Sequence, residues 1–260
     1  MLIRLETQWL LMVALIATRV AALLWLAPLF TLGKIPNRVL VLMIIIFSAG
    51  LASLNPAGIS EEALAAGHLY TASGWVLAAF HELVIGLIMA FGLHCAFAAF
   101  SFGGRLLDQQ IGFGVASLIN PGNNEQESLL GTALLAVGVL TFFLLDGHLM
   151  VVKSVAQSLQ WFPVGRSIGE LPLGPIVAQF GLMFSLGVVL VAPVVAALLM
   201  VDVAMAMAAR TMPQMNIFML SIPVKIIVGL LLLAASTAFM PGVLRRIYES
   251  IFAYWASLVS

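Results

Sequence analysis

Long apolar runs separated by short polar breaks make up most of the chain. An apolar run of about 20 residues is long enough to cross a bilayer as an α-helix. These runs do not alternate apolar and polar residues, as the strands of a membrane β-barrel do. The sequence therefore predicts an all-α membrane protein, organised as one domain over residues 1–260. Its six apolar helical segments are residues 8–30, 38–54, 75–102, 129–152, 175–209 and 216–241.

Prolines are expected to interrupt the later runs. Pro193 lies in the middle of the fifth run, which is too long for one span, and it lacks the N–H that an unbroken helix uses. This predicts a kinked helix or a tight helical pair. Pro213 and Pro223 are predicted to break the chain again on either side of Asn216. The first run is longer than the apolar core of a signal peptide and contains Arg19, so we interpret it as a retained helix.

A Gly-rich and amide-rich island at residues 103–124 separates the third and fourth runs. It contains polar residues such as Asp108 and Gln109, but apolar residues stand between its glycines. A water-exposed connector would not need the apolar residues, and a spanning helix would not tolerate the Gly, Asn and Pro residues. We therefore expect an apolar-lined loop that is held inside protein near the membrane.

Composition supports the membrane class and excludes several others. The chain is 63% hydrophobic and 8% charged, with a mean hydropathy of +1.15, as is typical of integral membrane proteins. Its formal net charge is zero, so no basic arm indicates nucleic acid. The single Cys95 rules out a disulfide within the chain, and no cofactor is predicted. Lys and Arg are divided almost evenly between the two sides of the predicted helices, so they indicate no orientation. Either partners set the orientation, or some runs are buried against other subunits.

One acidic residue of the third run lies on a stripe of small and polar groups. Glu82, Gly86, Ala90 and His94 recur at every fourth position and so share one face of a helix. Small residues let another helix approach closely, and an acid there can form a hydrogen bond across the contact. We favour an interhelical bond that fixes the packing. The alternative is a proton relay, since acids inside membranes often mark ion paths.

Two aspartates raise the question of an enzyme. Asp146 precedes a glycine, which is a turn signal and places Asp146 and His148 at the membrane interface. Two ligands at this spacing do not complete a metal shell. Asp202 lies two helical turns before Arg210, too far for a direct contact in a straight helix. Asp146 and Asp202 could form an intramembrane aspartyl protease only by sharing a proton, and no pattern brings them together. We therefore predict that the protein is not an enzyme.

Five motifs follow one another in a fixed order: Pro28 with Arg38, Glu82 with Gly86, and residues 103–121, 146–165 and 202–230. Together they resemble the FliR family of flagellar export-gate proteins and their counterparts in virulence injectisomes. Arg210 and the residues that follow it carry the strongest likeness. One departure is Asp146, where the family commonly has Asn.

This resemblance implies a structural pore subunit of the flagellar type III protein export gate, in the bacterial inner membrane at the basal body. It implies bent helical hairpins packed in a larger helical assembly, with FliP-type and FliQ-type subunits, FlhB-type and FlhA-type export proteins and unfolded exported proteins as partners. Alternatives are an injectisome subunit of the same family and, less favoured, an ion-coupled transporter.

The resemblance also implies two sets of site residues. The first is a loop that plugs the closed pore: Gln110, Ile111, Gly112, Phe113, Gly114, Val115, Ala116 and Ser117. An apolar constriction of this kind blocks ions by dewetting, and its glycines let the backbone move. The second set is polar residues that pack against other subunits: Glu82, Asp202, Arg210, Gln214, Asn216 and Lys225. We expect Glu82→Ala to weaken assembly of the complex.

Overall fold

The structure is a computed structural model, and it describes residues 2–28, 36–54, 71–113, 128–165, 173–212 and 217–258. Within these ranges the fold is all-α, as predicted. Its helices are α1 (Leu2–Leu26), α2 (Asn37–Leu54), α3 (Ala72–Ile111), α4 (Leu129–Leu144), α5 (Gly147–Trp161), α6 (Leu173–Thr211), α7 (Ile217–Ser236) and α8 (Met240–Ser257).

Five helices are long and apolar enough to cross a membrane, and the bent pair α4–α5 would make a sixth span. The candidate spans confirm the prediction of an all-α membrane protein with about six apolar segments. They are Gln8–Leu26, Asn37–Leu54, Ala72–Ile111, Leu173–Thr211 and Met219–Ser236.

The expected loop at residues 103–124 is wrong for its first part. Helix α3 continues through Gly103 and Gly104 and ends at Ile111. Glycine is tolerated there because it permits a close crossing: a Cβ on Gly104 would overlap the backbone of Gly131 on α4. Tertiary packing of this kind overrides the weak helix propensity of glycine. Residues 114–124 lie outside the described residues.

The fourth apolar run is not one straight helix. Helix α4 ends at Leu144 and α5 begins at Gly147, and the two are bent by 71°. Asp146 occupies the left-handed region with φ 56°, which few residues other than glycine, Asn and Asp adopt. The predicted Asp-Gly turn is therefore confirmed, and it divides a run that hydropathy alone had joined.

Proline interrupts the later helices less than expected. Helix α6 continues through Pro193 as one helix, so the helical-pair option is wrong. Pro223 lies inside α7, so the predicted break at that position is also wrong. Membrane helices tolerate proline because neighbouring groups satisfy the freed carbonyl. Pro213 and Asn216 lie outside the described residues.

The sixth run, predicted over 216–241, ends earlier, and a further helix follows it. Helix α7 ends at Ser236, and α8 begins at Met240. Helix α8 was not predicted, because its charged residues prevent it from forming an apolar run.

The chain divides into two compact units. The first unit comprises Met1–His94, Phe142–Gln179 and Ile251–Ser260, and the second comprises Cys95–Thr141 and Phe180–Ser250. Leu15, Ile16 and Leu23 are fully buried in the first unit, as are Leu107 and Leu198 in the second. The organisation of residues 1–260 as a single domain stays a prediction.

Candidate functional site

The predicted plug segment begins at the C-terminal end of α3. Gln110 lies in the last helical turn, and Ile111 is the last helical residue. The helix then ends at Gly112, whose φ of 98° is in the left-handed region and whose N–H donates to the Asp108 carbonyl at 3.1 Å. A glycine in this conformation is a common helix end, because other L-residues are strained there. Phe113 is half-buried, and residues 114–117 lie outside the described residues.

Ile111 fixes the start of the segment by packing. Its side chain has 0% exposure. A Cβ added at Gly229 of α7 would approach the Ile111 side chain to 2.7 Å, so α7 passes very close to the end of α3. In this conformation Ile111 is a core residue of the second unit. If a stopper forms, its movable part must begin after Ile111, at Gly112.

A groove of about 330 Å³ lies next to the start of the segment, within the second unit. Gln109 and Gln110 supply side-chain amides to a lining that is otherwise apolar. The opposite wall belongs to α6 and includes Val191, Val195 and Leu199.

Asp108 connects the last turn of α3 to the first turn of α4. Its buried carboxylate accepts a hydrogen bond of 2.5 Å from the Ser128 hydroxyl and bonds of 3.2 and 3.3 Å from the Leu130 N–H. Ser128 in turn accepts a bond from the Gly131 N–H at 2.8 Å. Negative charge and side-chain oxygens at a helix N-terminus satisfy its free N–H groups. These hydrogen bonds therefore connect the C-terminal end of α3 to the N-terminal end of α4, on either side of residues 114–127.

The sequence reading did not assign this role to Asp108. Part of the signal was visible, since Ser128 directly precedes the apolar run of α4, which is a helix-start pattern. The partner across 20 residues could not be read from local spacing.

Glu82 belongs to a buried polar cluster in the first unit. Arg19 of α1 forms an ion pair with it, at 2.7 Å between Nε and Oε2, and both side chains are 1% exposed. The second carboxylate oxygen accepts a bond from the Gly165 N–H at 3.2 Å. Arg19 also donates to the Ser158 hydroxyl at 3.1 Å and to the Phe162 carbonyl at 2.9 Å. The cluster thus joins α1, α3, α5 and the turn after α5.

The stripe that pointed to Glu82 is partly confirmed as a packing face. Gly86 and Ala90 are buried, and a Cβ at Gly86 would overlap the carbonyl oxygen of Arg19. His94, at the end of the stripe, is exposed. Both Glu82 oxygens have donors within the chain, which favours the packing interpretation over a proton relay. The proposed contact of Glu82 with other subunits stays a prediction, and Arg19 is the partner that sequence reasoning missed.

The remaining polar site residues lie in the second unit. Asp202 of α6 and Lys225 of α7 form an ion pair, with side chains 37% and 19% exposed. Arg210 is exposed. Gln214 and Asn216 lie outside the described residues.

Asp146 and His148, the two potential metal ligands at the turn after α4, differ in their surroundings. Asp146 is exposed, and the His148 ring lies 5.4 Å from the Phe143 ring. The His148 Nδ1 is buried and has no hydrogen-bond partner among the described residues. No group of three or more potential metal ligands occurs in the described part of the chain.

Comparison with known proteins connects these features to a family. The family model described as bacterial export proteins, family 1, matches residues 10–251. The chain belongs to this family.

Individual relatives of two kinds are similar to the chain. The flagellar biosynthetic protein FliR of Bacillus subtilis is 29% identical over 179 residues, covering 67% of this chain and 69% of the relative. That of Escherichia coli is 25% identical over 244 residues, covering 93% and 90%. The Yop proteins translocation protein T of Yersinia pestis is 29% identical over 155 residues, covering 58% and 59%. The predicted resemblance to the FliR family is confirmed.

Proposed function

We propose that the chain is a structural, non-enzymatic subunit of a flagellar type III protein export gate in the bacterial inner membrane, at the basal body. Family membership and the names of the relatives support this role. The flagellar branch is favoured because the alignment with a flagellar relative covers 93% of the chain, against 58% for the Yersinia translocation protein. The partners are FliP-type and FliQ-type gate subunits, with FlhB-type and FlhA-type export proteins.

The observation that carries this proposal is the exposed apolar surface of α6. Leu173 near its start and Met207 near its end are each 66% exposed, with Val188 between them at 48%. The 34 residues from Leu173 to Met207 rise about 51 Å along the helix axis. The hydrocarbon layer of a bilayer is about 30 Å thick.

Lipid alone cannot cover an apolar surface of this length. A tilt of more than about 50° would be needed to fit it into the hydrocarbon, whereas membrane helices tilt by up to about 40°. Exposed apolar patches mark contacts with membrane or with other proteins, so the part of α6 that the hydrocarbon cannot cover needs other protein. A gate assembled from several helical subunits provides such contacts, whereas a transporter that works as a single chain does not.

Residues 110–117 form the stopper of the closed pore in this proposal, with Gln110 and Ile111 as its fixed base and Gly112 as the start of its movable part. The described part of the segment has the required features: a buried anchor at Ile111, a flexible position at Gly112 and a half-buried aromatic ring at Phe113. An apolar ring excludes ions because water leaves a narrow hydrophobic passage.

A charge at Phe113 tests the stopper. Phe113→Asp is expected to wet the constriction, and therefore to raise the ion conductance of membranes that contain the assembled gate. Flagellar protein secretion is expected to change in the same variant. Phe239→Asp is the matched control, because Phe239 is 77% exposed in the turn before α8, outside the segment. Normal conductance and normal secretion for Phe113→Asp, with the gate assembled, would refute the stopper.

Deletion of the gene in the host tests whether the chain serves the flagellar export system or an injectisome. Loss of flagellar filaments and swimming is expected. If swimming persists and secretion by an injectisome is lost, the chain belongs to the other branch of the family. If purified chain without partners transports an ion, the gate proposal is wrong.

A further inference from the structure

Helix α8 differs from the candidate spans in how its residues are distributed. Most of its large apolar side chains are buried: Leu244, Ile247 and Tyr248 in the second unit, and Ile251, Tyr254 and Trp255 in the first. Val243 and Phe252 are half-buried and no large apolar residue of α8 is exposed, whereas on α7 Ile227 is 61% and Leu231 is 66% exposed. After the first turn, which exposes Pro241 and Gly242, the outward positions of α8 are Arg245, Arg246, Glu249, Ala253 and Ala256.

Hydrogen bonds fix which face of α8 points inward. The Tyr248 hydroxyl donates to the Gly138 carbonyl at 2.7 Å in the second unit. In the first unit the Tyr254 hydroxyl donates to the Ile88 carbonyl at 3.2 Å, and the Trp255 Nε1–H donates to the Met89 carbonyl at 3.1 Å. Burial raises the pKa of the Tyr248 phenol to about 12, so it stays protonated and keeps donating. The helix therefore cannot rotate its charges inward without losing these bonds.

We propose that the outer face of α8 borders water, and that α8 lies outside both the hydrocarbon layer and the contacts with partner subunits. Charged residues at the centre of a membrane helix are strongly disfavoured. Arg245 and Glu249 form a 2.7 Å ion pair while remaining 79% and 59% exposed, a geometry suited to solvent. Arg246 is exposed beside them.

A partner subunit is excluded by the same composition. The buried centres of protein interfaces are depleted of charged residues and enriched in large apolar ones. The outer face of α8 offers charges and alanines, and its large apolar side chains are buried or half-buried within the chain itself. The statement about partner subunits rests on the proposed gate, whereas the exposure of α8 to water is argued from the contrast between α8 and α7.

Thiol labelling in assembled gates tests the proposal. The native Cys95 is buried, so the unaltered chain gives a low background. Arg246→Cys and Ala253→Cys place thiols on the outer face of α8, and Ile227→Cys places one on the exposed apolar face of α7. Membranes of both orientations are treated with a charged, membrane-impermeant maleimide. The thiolate is the reactive form and needs water, so we expect labelling on α8 to be roughly tenfold faster or more than on α7.

The labelling rates at positions 246, 253 and 227 decide whether the outer face of α8 borders water. Fast labelling at both α8 positions, from either side of the membrane, with slow labelling at position 227, supports it. Slow labelling at both α8 positions, no faster than at position 227, would overturn it. Ala253→Cys changes one small residue and so keeps the test valid if Arg246→Cys does not assemble. Co-purification of partner subunits with each variant shows that the labelled chains are in gates.

Discussion

The two interhelical ion pairs of the described chain are built in opposite ways. In the first unit, Arg19 and Glu82 are 1% exposed, and both carboxylate oxygens have donors from the same chain. In the second unit, Asp202 and Lys225 are 37% and 19% exposed on helices whose surroundings are largely apolar and open. The first pair is complete within the monomer. The second pair is only partly covered, which leaves room for polar groups of another subunit.

This difference in burial illustrates two roles of polar residues in a membrane protein, which are packing within one chain and contact with a neighbouring subunit. A fully satisfied buried pair fixes how a chain packs on itself, because any other arrangement leaves a charge without a partner. A half-exposed pair on an apolar face can instead orient a neighbouring subunit. Substitutions at the two pairs should therefore affect different measurements.

Removal of one partner of the buried pair is expected to have the largest effect. Glu82→Ala leaves the Arg19 guanidinium buried without its counter-charge, at a cost of roughly 3–5 kcal/mol. The amount of chain retained in membranes, and the thermal unfolding of the purified gate, measure this loss. Glu249→Ala is the control, because it removes an exposed carboxylate from an exposed ion pair. Equal thermal stability for these two variants would contradict the comparison.

A double substitution separates two contributions to stability. One is the cost of leaving the Arg19 charge buried without a partner, and the other is the net stabilisation by the Arg19–Glu82 ion pair. Arg19→Met with Glu82→Leu removes both charges and keeps side-chain volume, so it should be more stable than Glu82→Ala alone. If the double variant is the less stable of the two, the neutral bonds to Ser158, Phe162 and Gly165 matter more than the ion pair.

Asp108 separates the effect of burial from the effect of ion pairing. It is a buried carboxylate like Glu82, but its described hydrogen-bond donors are neutral. Asp108→Ala removes the bonds to Ser128 and Leu130 and should destabilise the start of α4 by about 1–2 kcal/mol, as loss of a helix cap does. Thermal unfolding of the purified gate measures this cost. Thr132→Ala is the control, since its hydroxyl bonds only to the Ser128 carbonyl on an exposed helical surface. A loss as large as that of Glu82→Ala would mean that burial, and not ion pairing, dominates both sites.

The half-exposed pair should have the smallest effect on the chain itself. Asp202→Asn is expected to lower the stability of the chain less than Glu82→Ala does, because within the chain the Asp202–Lys225 pair is far less buried than Arg19 with Glu82. Co-purification of partner subunits should fall clearly in the same variant. Arg245→Gln, which breaks the exposed pair on α8, should leave co-purification unchanged. Normal recovery of partners with Asp202→Asn would remove the role of this pair in assembly.

Hydropathy predicted the fold class because long apolar runs specify membrane helices whatever their detailed packing. It could not show where those helices end. Helix α3 continues through Gly103 and Gly104 because Gly131 of α4 approaches there. Helix α8 was not predicted because its polar face interrupts the apolar run. Such ends depend on contacts with residues distant in sequence.

The candidate site was predictable to a similar degree. The spacing around Glu82 indicated a packing face, and the turn at Asp146 followed from the Asp-Gly pair. The partners of the ionic groups could not be deduced, since Arg19 and Glu82 are 63 residues apart and Asp108 and Ser128 are 20 apart. No local period connects them, and only the folded chain brings them together.

The sharp turn at Asp146 also has a consequence for the surrounding lipid. It limits α4 to 16 residues, which rise only about 24 Å along the helix axis, against a hydrocarbon layer of about 30 Å. Leu144 at the end of α4 is 81% exposed, so this apolar side chain is expected to contact lipid or another protein. A span through α4 alone would therefore compress the lipid beside it, at a cost of fractions of a kcal/mol for each ångström of hydrophobic mismatch. Helix α5 removes that mismatch where the bent pair crosses as one span, so thinning of the bilayer is expected only beside α4 on its own.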